Sequence, residues 1–377
     1  MKLWITTAIL ASAIALTGCQ ETDENDPPSL HEAFEGKFLI GGTLSDSMLE
    51  NASDPGFAIV SKHFNSLSPE NCMKWGNMNP LLDQYEWELS DRFVEYGHNF
   101  GQEMVGHVLF WHSQTPDWVF EDENGAPLSK EALLERMRER ARLMAKRWGD
   151  RIKIWDVVNE SIEGDGSWRK SKYQQILGDE FTELAFRIAM EELPTDAILL
   201  YNDYGMTDPG RRDAVVAMIQ DFKSKGIRID GVGMQGHWEM SYPALSEIED
   251  SLTAFAATGV KVHITELDLD LLGRGKFFGA NVDIERLKAD PATNPYPDGN
   301  LPPSEEKRFA ERYAEIFDVL LKHHEKIDRV TFWGVSDLTT WLNGFPVEGR
   351  TNFALLFDRQ FKPKPAFYRV LETARKR

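Results

Sequence analysis

Two apolar runs in this chain end in carboxylates. IKIWDVVNES (Ile152 to Ser161) stops at Asn159 and Glu160, and KVHITELD stops around Glu266. Two carboxylates brought to one cleft can hydrolyse a glycosidic bond. One is protonated and hands its proton to the leaving oxygen; the other is ionised and either attacks the anomeric carbon or activates a water. Asn159 is placed to hydrogen-bond a sugar 2-hydroxyl, and His237 to orient Glu266 and keep it charged. Other chemistries are poorly served. The histidines lack paired spacing and no HExxH occurs, so no metal site is read; no GxSxG elbow offers a serine nucleophile. No cofactor is implied.

The carboxylates need a scaffold that gathers distant strand ends. From Phe34 onward short apolar runs recur: KFLIGG, HFNSLS, EMVGHVLF, IKIWDVVNE, AILLYND, IDGVGMQGH, KVHITELD and RVTFWGVSD. Helical-period stretches lie between them. KEALLERMRERARLMAKRW sets Leu133, Leu134, Met137, Ala141 and Met144 along one stripe, and a second such stretch starts at Ser304 after two prolines. Alternating strands and helices predict a closed (β/α)8 TIM barrel over residues 34–377. A doubly wound sheet is the competing fold, but no glycine-rich phosphate turn follows an early strand.

In a parallel barrel every strand ends on one face. Strand two would deliver Glu70, Asn71 and Lys74. Strand three would deliver His107, then Trp111, His112 and Gln114. Asn202, Asp203 and Tyr204 end strand five, and Gln235 and His237 end strand six. Trp333 ends strand eight, with Trp341 in the loop beyond. A lone histidine is more often a satisfied structural residue and a lone glutamate a solvated cap. Polar groups at nearly every strand end make a cleft the better reading. The long connection from Leu271 to Pro303 is expected to lie over the same face.

Composition narrows the partners. The chain has 377 residues and a net charge of −19, which disfavours nucleic acid. Its 11 tryptophans suit either a core or the flat faces of sugar rings. The N-terminus, with an early lysine, LWITTAILASAIAL and then LTGC, reads as a signal peptide over residues 1–18. Its ending resembles a bacterial lipoprotein signal, which implies lipid on Cys19 and an exported, membrane-anchored protein at the periplasm or cell surface. Residues 19–33 are expected to be a flexible acidic tether. Cys72 would then be a reduced, partly buried structural thiol.

Taken in order, FNSLSPENCMKW, GHVLFWHSQTPDW, WDVVNE, YNDYG, GVGMQGHW, HITELD and TFWGVSDLTTW resemble glycoside hydrolase family 10, the endo-β-1,4-xylanases. The likeness runs from about Phe38 to the C-terminus. It implies a (β/α)8 barrel without cofactor, a retaining mechanism, and xylan and xylo-oligosaccharides as substrates, with Glu160 as acid/base and Glu266 as nucleophile. Glu70, Asn71, Lys74, His107, Trp111 and Gln114 match glycone-side contacts. Asn159, Tyr204, Gln235 and His237 match residues around the reacting sugar, and Trp333 and Trp341 match an aromatic lid and platform. A monomer is expected. Three positions depart from the family pattern: Gly205 where Asn is common, Leu342 where Arg often follows the last Trp, and Ala354 where Pro is common. A related barrel β-1,4-glucanase and a non-catalytic glycan-binding surface protein are the alternatives; retention of both Glu160 and Glu266 argues against the second.

Overall fold

The computed structural model describes residues 28–274 and 286–376. Within them the apolar runs become parallel strands: β1 (Leu39–Leu44), β2 (Ser66–Pro69), β3 (Glu103–Gly106), β4 (Ile154–Asn159), β5 (Ile198–Asp203), β6 (Gly231–Met234), β7 (Lys261–Asp270) and β8 (Ile327–Phe332). Each pairs with its sequence neighbour, and β8 closes the ring on β1 with Leu39 opposite Arg329. The strands read as continuous apolar runs because both faces are covered, and every residue of β4 is buried. Closure also leaves the ring without an exposed edge.

The helices form as their pattern dictates. Lys130–Trp148 is capped by the Ser129 hydroxyl, which accepts from the Ala132 amide, and it buries Leu133, Met137, Ala141, Met144 and Trp148. The helix expected to start at Ser304 begins one residue earlier, at Pro303. Proline suits the first turn, where an amide would lack an intrahelical partner.

Two expectations need correction. The proposed tether does not reach residue 33. Ser29 forms a capping box with Glu32, and Leu30 and Phe34 are wholly buried, so Leu30–Ala33 is a helix packed on the barrel. Residues 1–18 and Cys19 lie outside the described residues. EMVGHVLF is also not one strand. After Gly106 the carbonyls of Val108 and Leu109 turn to the Arg140 guanidinium (2.8 and 2.7 Å) instead of a strand partner. The chain re-enters the sheet only at Phe110–Trp111, beside the end of β4. Gly106 permits this approach, since a Cβ there would lie 2.2 Å from the Trp155 ring. Cys72 is buried and unpaired, as a structural thiol should be.

Arg140 thus ties a helix to the segment between His107 and Trp111; it also donates to the Met73 carbonyl at 2.8 Å. Replacing it with Met leaves three buried carbonyls without that donor. At about 1–3 kcal/mol for each unsatisfied group, Arg140→Met is expected to destabilise the fold by roughly 3 kcal/mol or more, read as a lower urea midpoint. An unchanged midpoint would mean that water replaces the guanidinium.

Candidate active site

The strand register sets the site. Trp111 pairs with Asn159, Asn159 with Asn202, and His237, in a short strand (His237–Glu239), pairs with Asp268 on the extension of β7. These pairings put Glu160 and Glu266 among fixed donors. At Glu160 the backbone adopts φ +60°, a conformation that a non-glycine residue takes only at a cost. The surroundings hold it there: the Glu160 amide donates to the Asn202 carbonyl (2.9 Å), and Arg169 Nε donates to the Glu160 carbonyl (2.8 Å).

The two carboxylates are set apart electrostatically. Glu160 Oε2 accepts from Trp111 Nε1 at 2.9 Å, and Oε1 accepts from Gln235 Nε2 at 2.9 Å and Asn159 Nδ2 at 3.2 Å. Burial pushes its carboxyl above the ordinary carboxylate range, and the neighbouring Glu266 charge adds to this; the bonds from Gln235 and Trp111 and the Arg169 charge offset only part. With Oε1 engaged by two donors, Oε2 is the oxygen with room for a proton.

Glu266 is biased the other way. Oε1 accepts from Asn202 Nδ2 at 2.7 Å, and Oε2 accepts from His237 Nε2 at 3.0 Å. Burial again opposes the charge. Here the His237 bond and charge, with help from His107 and Asn202, outweigh it and hold the carboxyl below its usual value. His237 can do this because its Nδ1 donates to Asp268 Oδ2 at 2.9 Å. Burial alone would lower its pKa, yet Asp268 and Glu266 raise it to about 9. Asp268 Oδ2 also accepts from Trp341 Nε1 at 2.6 Å.

Around the pair is a cavity of about 450 Å3. Its walls include Glu70, Asn71, Lys74, His107, Trp111, Gln114, Asn159, His237, Trp333 and Trp341 as expected, together with Arg286 and Phe345. Lys74 Nζ donates to Asn71 Oδ1 at 2.9 Å and lies 4.9 Å from the centroid of the Trp111 ring. Burial lowers its pKa, against the attraction of Glu70, Glu266 and Glu160. His107 donates to Asp156 at 2.9 Å and meets Trp333 edge-on. His237 faces Trp341 with ring centroids 4.9 Å apart.

Two expected contacts are placed differently. Tyr204 does not line the cavity: its hydroxyl accepts from Arg169 (2.8 Å) and its ring lies under Arg211 (4.2 Å). Gln235 does not line it either: its Nε2 donates to Glu160 and Asn159, and its Oε1 has no hydrogen-bond partner among the described residues. Of the departures, Leu342 is wholly buried and offers nothing to a ligand. Gly205 has φ +55°, and a Cβ there would lie 2.3 Å from the Arg211 guanidinium. Ala354 is also wholly buried, and its carbonyl accepts from the Tyr313 hydroxyl at 2.6 Å.

Sequence reasoning left Asp268, Asp156, Arg169 and Arg286 out of the site and gave Asn202 no role beyond its place at a strand end. Asp268 was detectable, because it follows Glu266 by two residues on a strand and so shares its face. Asn202 lies next to the end of β5 and pairs with Asn159 at the end of β4. Arg169 and Arg286 sit in loops with no periodic signal.

Comparison with known proteins agrees with this geometry. Residues 29–373 match the family described as glycosyl hydrolase family 10. The chain is 39% identical to endo-1,4-beta-xylanase A of Xylanibacter ruminicola, over 92% of this chain and 93% of that protein. It is 37% identical to an endo-1,4-beta-xylanase of Geobacillus stearothermophilus, over 91% and 98%. A solved GH10 endoxylanase from a sugarcane soil metagenome superposes with a TM-score of 0.87 at 43% identity, covering 92% of this chain and 100% of that one.

The Asp268–His237–Glu266 chain makes a pH prediction. In Asp268→Asn the charge that holds His237 protonated is lost, so the imidazole pKa falls and Glu266 loses its cationic neighbour. Glu266 then ionises only at higher pH. The acid limb of kcat/KM is expected to move upward in pH, with about a tenfold loss near neutrality. A pH–rate profile measures this; an unmoved acid limb would show that Asp268 does not control the Glu266 charge.

Proposed function

The chain belongs to glycosyl hydrolase family 10, and from that premise we propose how it works as an endo-1,4-β-xylanase: by double displacement, with Glu266 attacking and Glu160 as acid and then base. The observation that carries this is a pair of buried carboxylates with different partners, Glu160 just past β4 bonded only to neutral donors and Glu266 within β7 bonded to His237, which biases the first toward its protonated form and the second toward its ionised form. Glu266 Oε1 and Oε2 are anchored by Asn202 and His237. Glu160 Oε2 protonates the leaving oxygen as the glycosyl–Glu266 bond forms. The Glu160 carboxylate then takes a proton from water, which attacks the anomeric carbon and frees Glu266. Asn159 Nδ2 has a second hydrogen available for a sugar hydroxyl.

The preference for xylan is supported by the crowded wall of Glu70, Asn71 and Lys74, with Lys74 buried against Trp111. A hydroxymethyl group on a glucose ring would have to fit beside these side chains. Fitting one extra group changes discrimination by about 10–200-fold. The export and anchor reading rests on residues 1–19 of the sequence, with LTGC as the lipidation signal and Cys19 as its target. Two or more acyl chains on one residue suffice to hold a soluble domain at a membrane.

Glu160→Ala is expected to lose about 100-fold or more in kcat/KM on xylan and far less on aryl xylosides whose leaving group needs no proton. A slow-leaving 2-fluoroxylosyl substrate should label Glu266, and the first product should keep its configuration. Equal losses on both substrate types, or a label elsewhere, would reassign the roles. For the anchor, the full-length protein should fractionate with membranes and Cys19→Ser with the soluble phase; identical partitioning would exclude lipid on Cys19.

A further inference from the structure

The connection after β7 returns to the barrel at Arg286 and is fastened there. The Leu287 amide donates to the Pro346 carbonyl (3.1 Å) and the Ala289 amide to the Glu348 carbonyl (3.0 Å), so Leu287 and Lys288 form a short parallel ladder with Val347 and Glu348. This ladder puts Arg286 beside Phe345, whose ring stacks on Trp341 with centroids 5.0 Å apart. Arg286 lines the catalytic cavity, and its guanidinium lies against Gly344: a methyl on that glycine would sit 3.8 Å from Nη1.

Arg286 is exposed, and no described carboxylate lies within ion-pair distance of it. Glu348 is taken up by Lys288 at 2.8 Å. The Glu266 oxygens are occupied by Asn202 and His237, and those of Glu160 by Trp111, Gln235 and Asn159. A planar cation with no hydrogen bond or ion pair to a described residue therefore sits at the wall of a sugar-binding cleft, on a chain whose net charge of −19 repels anionic polymers. Undecorated xylan is neutral and gives such a cation nothing to pair with. A carboxylate carried on a sugar branch matches the guanidinium fork, which can hold both of its oxygens.

We propose that Arg286 is a specificity-determining residue that receives the carboxylate of a uronic-acid branch on the xylan chain, favouring acidic over neutral substrate segments. The proposal rests on the xylanase reading above and extends it to the decoration of the substrate.

The test compares three xylo-oligosaccharides of equal backbone length: linear, bearing one uronic acid, and bearing one neutral pentose branch. Wild type, Arg286→Gln and Arg286→Lys are assayed for kcat/KM on each. In Arg286→Gln the ratio of acidic to linear substrate is expected to fall by roughly tenfold at low salt, with Arg286→Lys recovering part of it. The wild-type ratio should shrink as salt rises, because the pair is solvent-exposed. The neutral-branched substrate should follow the linear one. Equal changes on acidic and linear substrates, or a wild-type preference insensitive to salt, would overturn the proposal. Failure of wild type to cut the linear oligosaccharide would instead overturn the xylanase reading.

Discussion

A buried negative charge governs this molecule. Glu266 must stay ionised in a cleft where burial opposes ionisation, and an unpaired charge in such a place is not tolerated. The solution is a relay of fixed partners: Asn202 on one oxygen, His237 on the other, Asp268 behind His237, and Trp341 on the same Asp268 oxygen. Each member comes from a different strand or loop, so the charge is stable only when the ring has closed in the right register. Slipping one strand by a residue would turn its partner away.

The same logic run in reverse explains Glu160. It too is buried and hydrogen-bonded, but its donors are neutral and no cation touches its carboxylate. Those donors and the more distant Arg169 charge offset only part of the effect of burial, so the carboxyl is biased toward its protonated form. Two chemically identical side chains acquire opposite roles because one faces an imidazolium and the other an indole and two amides. The left-handed backbone at Glu160 belongs to this arrangement, since it turns the side chain out of the strand direction at the end of β4. The bond its amide donates to the Asn202 carbonyl and the bond its carbonyl accepts from Arg169 sustain the conformation.

Much of this was legible in the sequence, for a physical reason. Strands covered on both faces must be apolar, so a polar residue at the end of a run stands out, and Glu160, Glu266, His237 and Asn159 stood out that way. The family resemblance then supplied their roles. What could not be read was which polar groups spend their donors on one another. Gln235 and Tyr204 have the types expected of sugar contacts, yet Gln235 turns its amide hydrogens to Glu160 and Asn159, and the Tyr204 hydroxyl accepts from Arg169. Arg140 lies outside the apolar stripe of its helix, yet it is buried against three carbonyls. The tether was extended too far because Ser29–Phe34 is too short to show a helical period, although Ser29 and Glu32 have the spacing of a capping box.

The barrel also divides what is constrained from what is free. Residues tied into the relay and the ladders cannot change one at a time, since each would leave a buried group unpaired. Among its described residues the connection after β7 is tied by Arg274 to the His237 carbonyl, by Arg350 to the Gly273 and Thr293 carbonyls, and by Leu287–Lys288 to the segment that carries Phe345 and Trp341. A residue adjoining that fastening can vary in type without disturbing the charged relay, yet it faces the same cavity as the carboxylates. Catalytic groups held by the strands and a substrate-reading group held by a loop are thus separable within one cleft. Net charge is felt differently by the two: a neutral glycan arrives indifferent to the −19 of the whole chain, whereas an acidic branch meets repulsion everywhere except where a local cation offsets it. In an acidic chain, one guanidinium at the cleft wall with no described ion-pair partner therefore has more influence on choice of substrate than it would have on a neutral surface.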